Sequence, residues 1–208
     1  MTLLSERLQQ ARHELFVGRA AERELFEAAL ISQEPTFCVL HVCGLGGVGK
    51  TMLLREFAAL CAAHGVHSVT IDARNFDPSP DAFLQAVALA DGQDAARSIA
   101  ELFDGRQKRF VIFIDTCELL APLDHWLREE FLPQLPDHGM VVLAGRQAPS
   151  QNWQLDAGWQ NLLRTLPLRN LSPAESHGYL SQRNVPEHQH EAIPVSYTHL
   201  TLPTKRIV

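Results

Sequence analysis

Gly44-Leu45-Gly46-Gly47-Val48-Gly49-Lys50-Thr51 decides the reading of this 208-residue chain. It fits G-x-x-x-x-G-K-[ST], a phosphate-binding loop, at every fixed position. The glycines at 44, 46, 47 and 49 let backbone N–H groups turn inward around a phosphate chain, where side chains would block them. Lys50 brings a compact positive charge to the β and γ phosphates, and the Thr51 hydroxyl is a Mg²⁺ ligand. Leu45, Val48 and Met52 belong to the same nucleotide-binding stretch. The flanks agree with the motif. Phe37–Cys43 is a short apolar run, as expected of a buried strand. After the loop, Leu53, Leu54, Phe57, Leu60 and Cys61 recur at helical spacing, and His64 and Gly65 form a stop. A helix starting near Lys50 directs its positive end at the phosphates. Strand, glycine-rich loop and helix therefore predict a site for ATP or ADP with Mg²⁺.

Hydrolysis needs more groups, and the sequence offers three. Phe110-Val111-Ile112-Phe113-Ile114-Asp115 is a buried strand ending in an acid, placed to hold the Mg²⁺ shell beside Thr51. Glu118 lies on the turn that leaves this strand and is the candidate acid/base for water. Met140-Val141-Val142-Leu143-Ala144-Gly145-Arg146 is a strand ending in Gly-Arg, and Arg146 is the candidate reporter of the γ-phosphate, since a guanidinium matches phosphate oxygens. Asp124, Glu129 and Glu130 read as an exposed helical face.

The remaining pattern alternates strands and helices, which implies right-handed parallel βαβ units and an α/β fold. Helices are expected over Met1–Arg12, Ala20–Ile31, Asp81–Ala90, Asp94–Phe103 and Leu123–Leu132, the last ended by Pro133 and Pro136. Strands are expected at His67–Asp72 and Thr165–Leu168. Ser79-Pro80 and Ser172-Pro173-Ala174-Glu175 are helix starts, the second a capping box. Four cysteines (38, 43, 61 and 117) without C-x-x-C spacing read as reduced core residues of a cytoplasmic protein. No apolar run is long enough to span a membrane. The formal charge is −6. That balance is read as excluding direct nucleic-acid binding by this part. Val195-Ser196-Tyr197-Thr198-His199-Leu200-Thr201-Leu202-Pro203-Thr204 resembles a translated sequencing adapter, so residues 195–208 are taken as non-native. Without their Lys205 and Arg206, 16 basic residues face 24 acidic ones, a balance of −8. The expected organisation is a P-loop ATPase core at 1–170, the start of a truncated helical lid at 171–194, and the tail.

Leu15-Phe16-Val17-Gly18-Arg19-Ala20-Ala21-Glu22, then the phosphate loop, then hhhhD-x-x-E, then hhhhxGR, together resemble the signal-transducing STAND ATPases within the AAA+/NACHT-like group. Leu166–Glu175 resembles the segment leading into that family's helical lid. The resemblance implies a P-loop NTPase sheet of order 5-1-4-3-2, with the Arg146 strand between the phosphate-loop strand and the Asp115 strand. It implies that Phe16, Val17 and Arg19 line the adenine end of the pocket. It implies a slow, Mg-dependent ATPase that switches between ADP and ATP states, exposes a surface for self-association, and adjoins sensor and effector domains. Two departures stand out: Thr116 replaces the acid often found after the first Asp, and no G-x-P lid motif is present. Two other classes share parts of the pattern. An AAA+ DNA loader of the origin-recognition type shares Val17-Gly18-Arg19, and a P-loop kinase or transferase shares the phosphate cradle. The kinase reading lacks paired acids or an arginine cluster for an acceptor.

Overall fold

The computed structural model describes residues 16–186 apart from 97 and 184, together with 4 and 7. The expected helix Met1–Arg12 apart from residues 4 and 7, the end of the lid segment and the 195–208 tail lie outside the described residues.

Five strands form one parallel sheet: β1 (Val39–Cys43), β2 (His67–Asp72), β3 (Phe110–Asp115), β4 (Gly139–Gly145) and β5 (Leu163–Pro167). Their order is β2-β3-β4-β1-β5, the expected 5-1-4-3-2 read from the other edge. β1, β3 and β4 are buried at every residue, as strands covered on both faces must be. β2 and β5 stand at the edges and alternate or expose their side chains.

Helices cover both faces. α1 (Ala20–Ile31) and α2 (Lys50–Ala63) pack on one, where Phe26, Leu53 and Phe57 meet Leu40, Val42, Val111 and Phe113. The Phe26 and Phe57 rings stack at 4.2 Å between centroids. The other face receives Ile112, Ile114, Val141 and Leu143 under α3 (Pro80–Ala90), α4 (Ile99–Phe103) and the helical segment after β3. Alternate residues of β3 thus serve opposite layers, as the pleat requires. Arg109, at the start of β3, donates to the carbonyls of Ala29 and Leu30, both at 2.8 Å. A cation there satisfies the last turn of α1 and matches its negative end.

Three stretches differ from expectation. The helix expected over Asp94–Phe103 begins only at Ile99, where the Ser98 hydroxyl accepts from the Glu101 N–H. The expected Leu123–Leu132 helix changes pitch. It runs as a 3₁₀ turn over Cys117–Leu123, one α turn (α5, Asp124–Trp126), a π turn over Leu127–Phe131 and a 3₁₀ turn over Leu132–Gln134. Pro122 and Pro133 lack the N–H that a continuous α ladder needs, and Pro133 starts the final turn rather than stopping the helix. Two short helices, α6 (Gln151–Leu155) and α7 (Ala157–Leu162), were not expected. Each buries one tryptophan, Trp153 and Trp159, with rings 5.1 Å apart. One buried residue per helix leaves no periodicity to detect. The last helix, α8 (Pro173–Gln182), starts in the anticipated capping box.

Candidate nucleotide-binding site

The phosphate loop joins β1 to α2 at the carboxyl edge of the sheet. Gly49 caps α2 with φ 102°, a left-handed conformation that other residues rarely adopt. α2 has no acidic residue of its own in its first turn. The Lys50 ammonium folds back over the loop and donates to the carbonyls of Gly44 (2.7 Å) and Leu45 (3.0 Å). Leu45 itself stands exposed.

β4 separates β1 from β3, yet Asp115 reaches the loop. The Thr51 hydroxyl donates to Asp115 Oδ2 at 2.6 Å. The other oxygen accepts from the Thr116 N–H at 2.8 Å. Thr116 is held at φ 58°, an uncommon conformation for a β-branched residue, and this aims the Asp115 carboxylate toward Thr51. A hydroxyl and a carboxylate in contact are hard oxygen donors of the kind Mg²⁺ takes when phosphates complete its shell. The residues therefore fit the ion. No cluster of three or more His, Cys, Asp or Glu with metal-site geometry occurs among the described residues, so protein alone does not supply a cage.

Glu118 and Arg146 meet each other. Arg146 Nε lies 3.1 Å from Glu118 Oε1, and its backbone N–H donates to Oε2 at 3.3 Å. Both candidates thus stand at the same edge as Asp115. The Arg146 side chain is 71% exposed, so this pair contributes little to stability and leaves the guanidinium free to exchange partners. Gly145 makes the approach possible. A Cβ there would lie 2.6 Å from Cys117 Sγ and 3.2 Å from Glu118 Oε2. Gly145→Ala is expected to cost about 1–2 kcal/mol by overpacking. A Cys117→Ala partner substitution should recover most of it in a double-mutant cycle followed by urea unfolding.

Sequence reasoning missed the floor beneath these groups. His41, in the middle of β1, is buried, and its Nε2 lies 3.7 Å from Cys117 Sγ. Its Nδ1 has no hydrogen-bond partner among the described residues. Burial lowers its pKa to about 4, with opposing contributions from its backbone and Asp124. Burial also pushes the Cys117 thiol up to about 12, aided by Glu118 and Asp115. The alternation of β1 places His41 on the face opposite Leu40 and Val42, which is the only sequence signal for it. Because His41 is neutral when folded and charges more readily when unfolded, its contribution is complete above pH 6.5 and is lost as pH falls toward 4. Stability should drop by roughly 1 kcal/mol between pH 7 and pH 5.5 through this residue alone. Urea midpoints of wild type and His41→Leu across that range check it; parallel curves would refute the assignment. A second missed pair stands on β2, where the Arg74 side chain hydrogen-bonds Asp72 and holds that carboxyl below its usual range.

The remaining expected residues lie on the far side of the loop. A cleft of about 400 Å³ is lined by Arg19, Glu22, Leu25, Leu166, Pro167 and Arg169, among others. Arg19, expected from the resemblance at the adenine end, borders this cleft. Phe16 packs against the hydrophobic layer that α1 and α2 share with the sheet, and Val17 faces Gly178 of α8. Arg19 is almost fully buried and adopts φ 63°.

A parallel five-stranded sheet in this order, with its phosphate loop, acid-ended strand and Gly-Arg strand along one edge, has the α/β fold of the P-loop NTPases. Solved structures of similar fold are those of Drosophila ORC bound to DNA (TM-score 0.61, 19% identity, covering 85% of this chain and 49% of that one) and the Aeropyrum pernix Orc1 protein in complex with DNA (TM-score 0.54, 19% identity, 83% and 53%). A third is the replication initiator DnaA bound to AMPPCP and single-stranded DNA (TM-score 0.56, 16% identity, 86% and 57%). The chain spans about half the length of these proteins. No family model and no curated protein matches the sequence. The neighbours correct one expectation. Direct nucleic-acid contact was excluded on net charge, yet the fold occurs in proteins held on DNA. A charge summed over a whole surface does not describe any one face of it. No helix among the described residues is long and apolar enough to cross a membrane.

Proposed function

We propose that this chain is the ATPase domain of a larger protein, a Mg-dependent module that binds ATP or ADP and hydrolyses ATP slowly as a molecular switch. The observation that carries this reading is the Thr51–Asp115 contact at the head of α2, with Lys50 folded over the same loop. In the switch, the loop N–H groups, Lys50 and the end of α2 bind the phosphates; Thr51 and Asp115 would hold Mg²⁺, which would supply charge neutralisation for phosphoryl transfer. Glu118 orients or deprotonates the attacking water once Arg146 has turned to the γ-phosphate. The Glu118–Arg146 pair makes that exchange of partners simple, since the arginine is mostly solvated. The four free cysteines fit a reducing, cytoplasmic setting. Titration with a fluorescent ATP analogue, with and without Mg²⁺, tests the proposal. Asp115→Asn should remove the Mg-dependent gain in affinity and leave metal-free binding; an unchanged gain would sink the metal assignment.

Two outputs of the switch remain distinct. The motif order Phe16–Glu22, phosphate loop, Asp115-x-x-Glu118 and Gly145-Arg146 supports a signal-transducing or transcription-regulating protein of the STAND type. The DNA-bound neighbours support an initiator or loader on DNA. Binding of a labelled duplex at several salt concentrations separates them. A steep fall in affinity with salt that depends on ATP favours the loader, and no binding at low salt favours the signalling switch.

A further inference from the structure

Arg19 and Glu175 join three parts of the molecule that are distant in sequence. The Arg19 guanidinium donates to the Val48 carbonyl of the phosphate loop at 3.2 Å and to the Arg169 carbonyl just beyond β5. Its Nη1 lies 3.1 Å from Glu22. Its backbone N–H donates to Glu175 Oε1 at 3.3 Å. The other Glu175 oxygen accepts the Ser172 N–H at 2.7 Å, and the Ser172 hydroxyl accepts the Glu175 N–H at 3.2 Å, which closes the capping box of α8. Each carboxylate oxygen therefore has one donor, one from the helix it starts and one from the nucleotide side.

The arrangement is costly to build. Arg19 is a charge with 8% of its surface exposed, held in a left-handed conformation after Gly18 at φ 76°. A Cβ at Gly18 would sit 2.5 Å from Glu175 Oε1, so the approach is close. Strain and buried charge together mark a site whose geometry is over-determined by its surroundings.

We propose that Arg19 and Glu175 are positioning residues that pass the state of the phosphate loop to α8. The proposal rests on the nucleotide-switch reading and on α8 being the first lid helix. Phosphates seated on the loop shift the Val48 carbonyl. One guanidinium nitrogen, Nη2, holds both carbonyls, so it cannot follow one without moving against the other. The Arg19 backbone moves with it, and the Glu175 carboxylate carries that movement to the head of α8.

Glu175→Gln tests the link while sparing the helix. Glutamine still completes a capping box, but its single carbonyl oxygen cannot serve both the Ser172 and Arg19 N–H groups. Hydrogen exchange of residues 174–182 is followed in the whole chain with and without Mg²⁺ and a non-hydrolysable ATP analogue, alongside nucleotide affinity. In wild type, nucleotide should change α8 exchange by about fivefold or more, the lower end of ordinary coupling between sites. In Glu175→Gln the change should fall below about twofold, although nucleotide-free exchange matches wild type and the analogue still binds. Arg19→Met, which keeps an apolar stem and removes the nitrogen that holds both carbonyls, should lose the nucleotide-dependent change in α8 as well. A full nucleotide-dependent change in Glu175→Gln, or none in a wild type that binds the analogue, overturns the proposal. A wild type that binds no nucleotide overturns the switch reading itself, which is a separate result.

Discussion

Phe57→Ala is expected to destabilise the protein by about 3–5 kcal/mol, the usual cost of emptying a fully buried aromatic site. Phe57 is wholly buried on α2, stacks on Phe26 of α1 and lies in the layer that Phe113 of β3 joins. The ring thus holds together two helices and the strand that carries Asp115. The site has little room to collapse, because Phe26 is wedged between Phe57 and Phe113, 5.9 Å from the latter. A loss of that size is about a fifth or more of the stability of a typical domain, about 5–15 kcal/mol. Urea unfolding should give a lower midpoint with an unchanged slope. A loss below about 1 kcal/mol would mean that α1 and α2 do not share a packed layer with β3.

Lys50→Ala should weaken ATP binding by at least about 2 kcal/mol, or roughly thirtyfold in Kd, the scale of a charge-assisted contact to phosphate. The same substitution should leave thermal stability unchanged or slightly improved. Lys50 is the first residue of α2, where a cation opposes the helix dipole, and among the described residues it donates to two loop carbonyls. A residue placed against its own helix's electrostatics is explained by a ligand of opposite charge. Opposite effects on affinity and stability would therefore identify Lys50 as a binding residue. Equal nucleotide affinity in the two proteins would remove the phosphate-loop assignment.

The parts of the fold that sequence revealed are those with a local physical signature. The phosphate loop, the all-apolar run before Asp115 and the capping box at Ser172 each declare themselves within a few residues, and each stands where expected. The sheet order came from the family resemblance, not from periodicity, because strand pairing is set by distant partners. The pitch changes after Cys117 were hidden because each 3₁₀, α or π segment is too short to show its own repeat, and only the two prolines hint at a break. At the site, residue types were legible but their mutual contacts were not. Nothing in the order of residues says that Glu118 and Arg146 bind each other, that Cys117 touches His41, or that Glu175 reaches Arg19 from 156 positions away.

The position of β1 has a consequence for how the chain matures. Val39 pairs with Val141 on one side and Leu163 on the other, partners that are synthesised 102 and 124 residues later. A ribosome making this chain releases the phosphate loop early and the strands that flank it late. Until β4 and β5 emerge, β1 is an apolar ribbon with both edges unpaired, the form of nascent chain most prone to sticking and to chaperone capture. β2 and β3 find each other sooner, so that half of the sheet can form while the nucleotide half waits. Closing such distant pairs is slow. Nucleotide would then be a reward for completed folding rather than a template for it, and its arrival would seal the last strands to be seated.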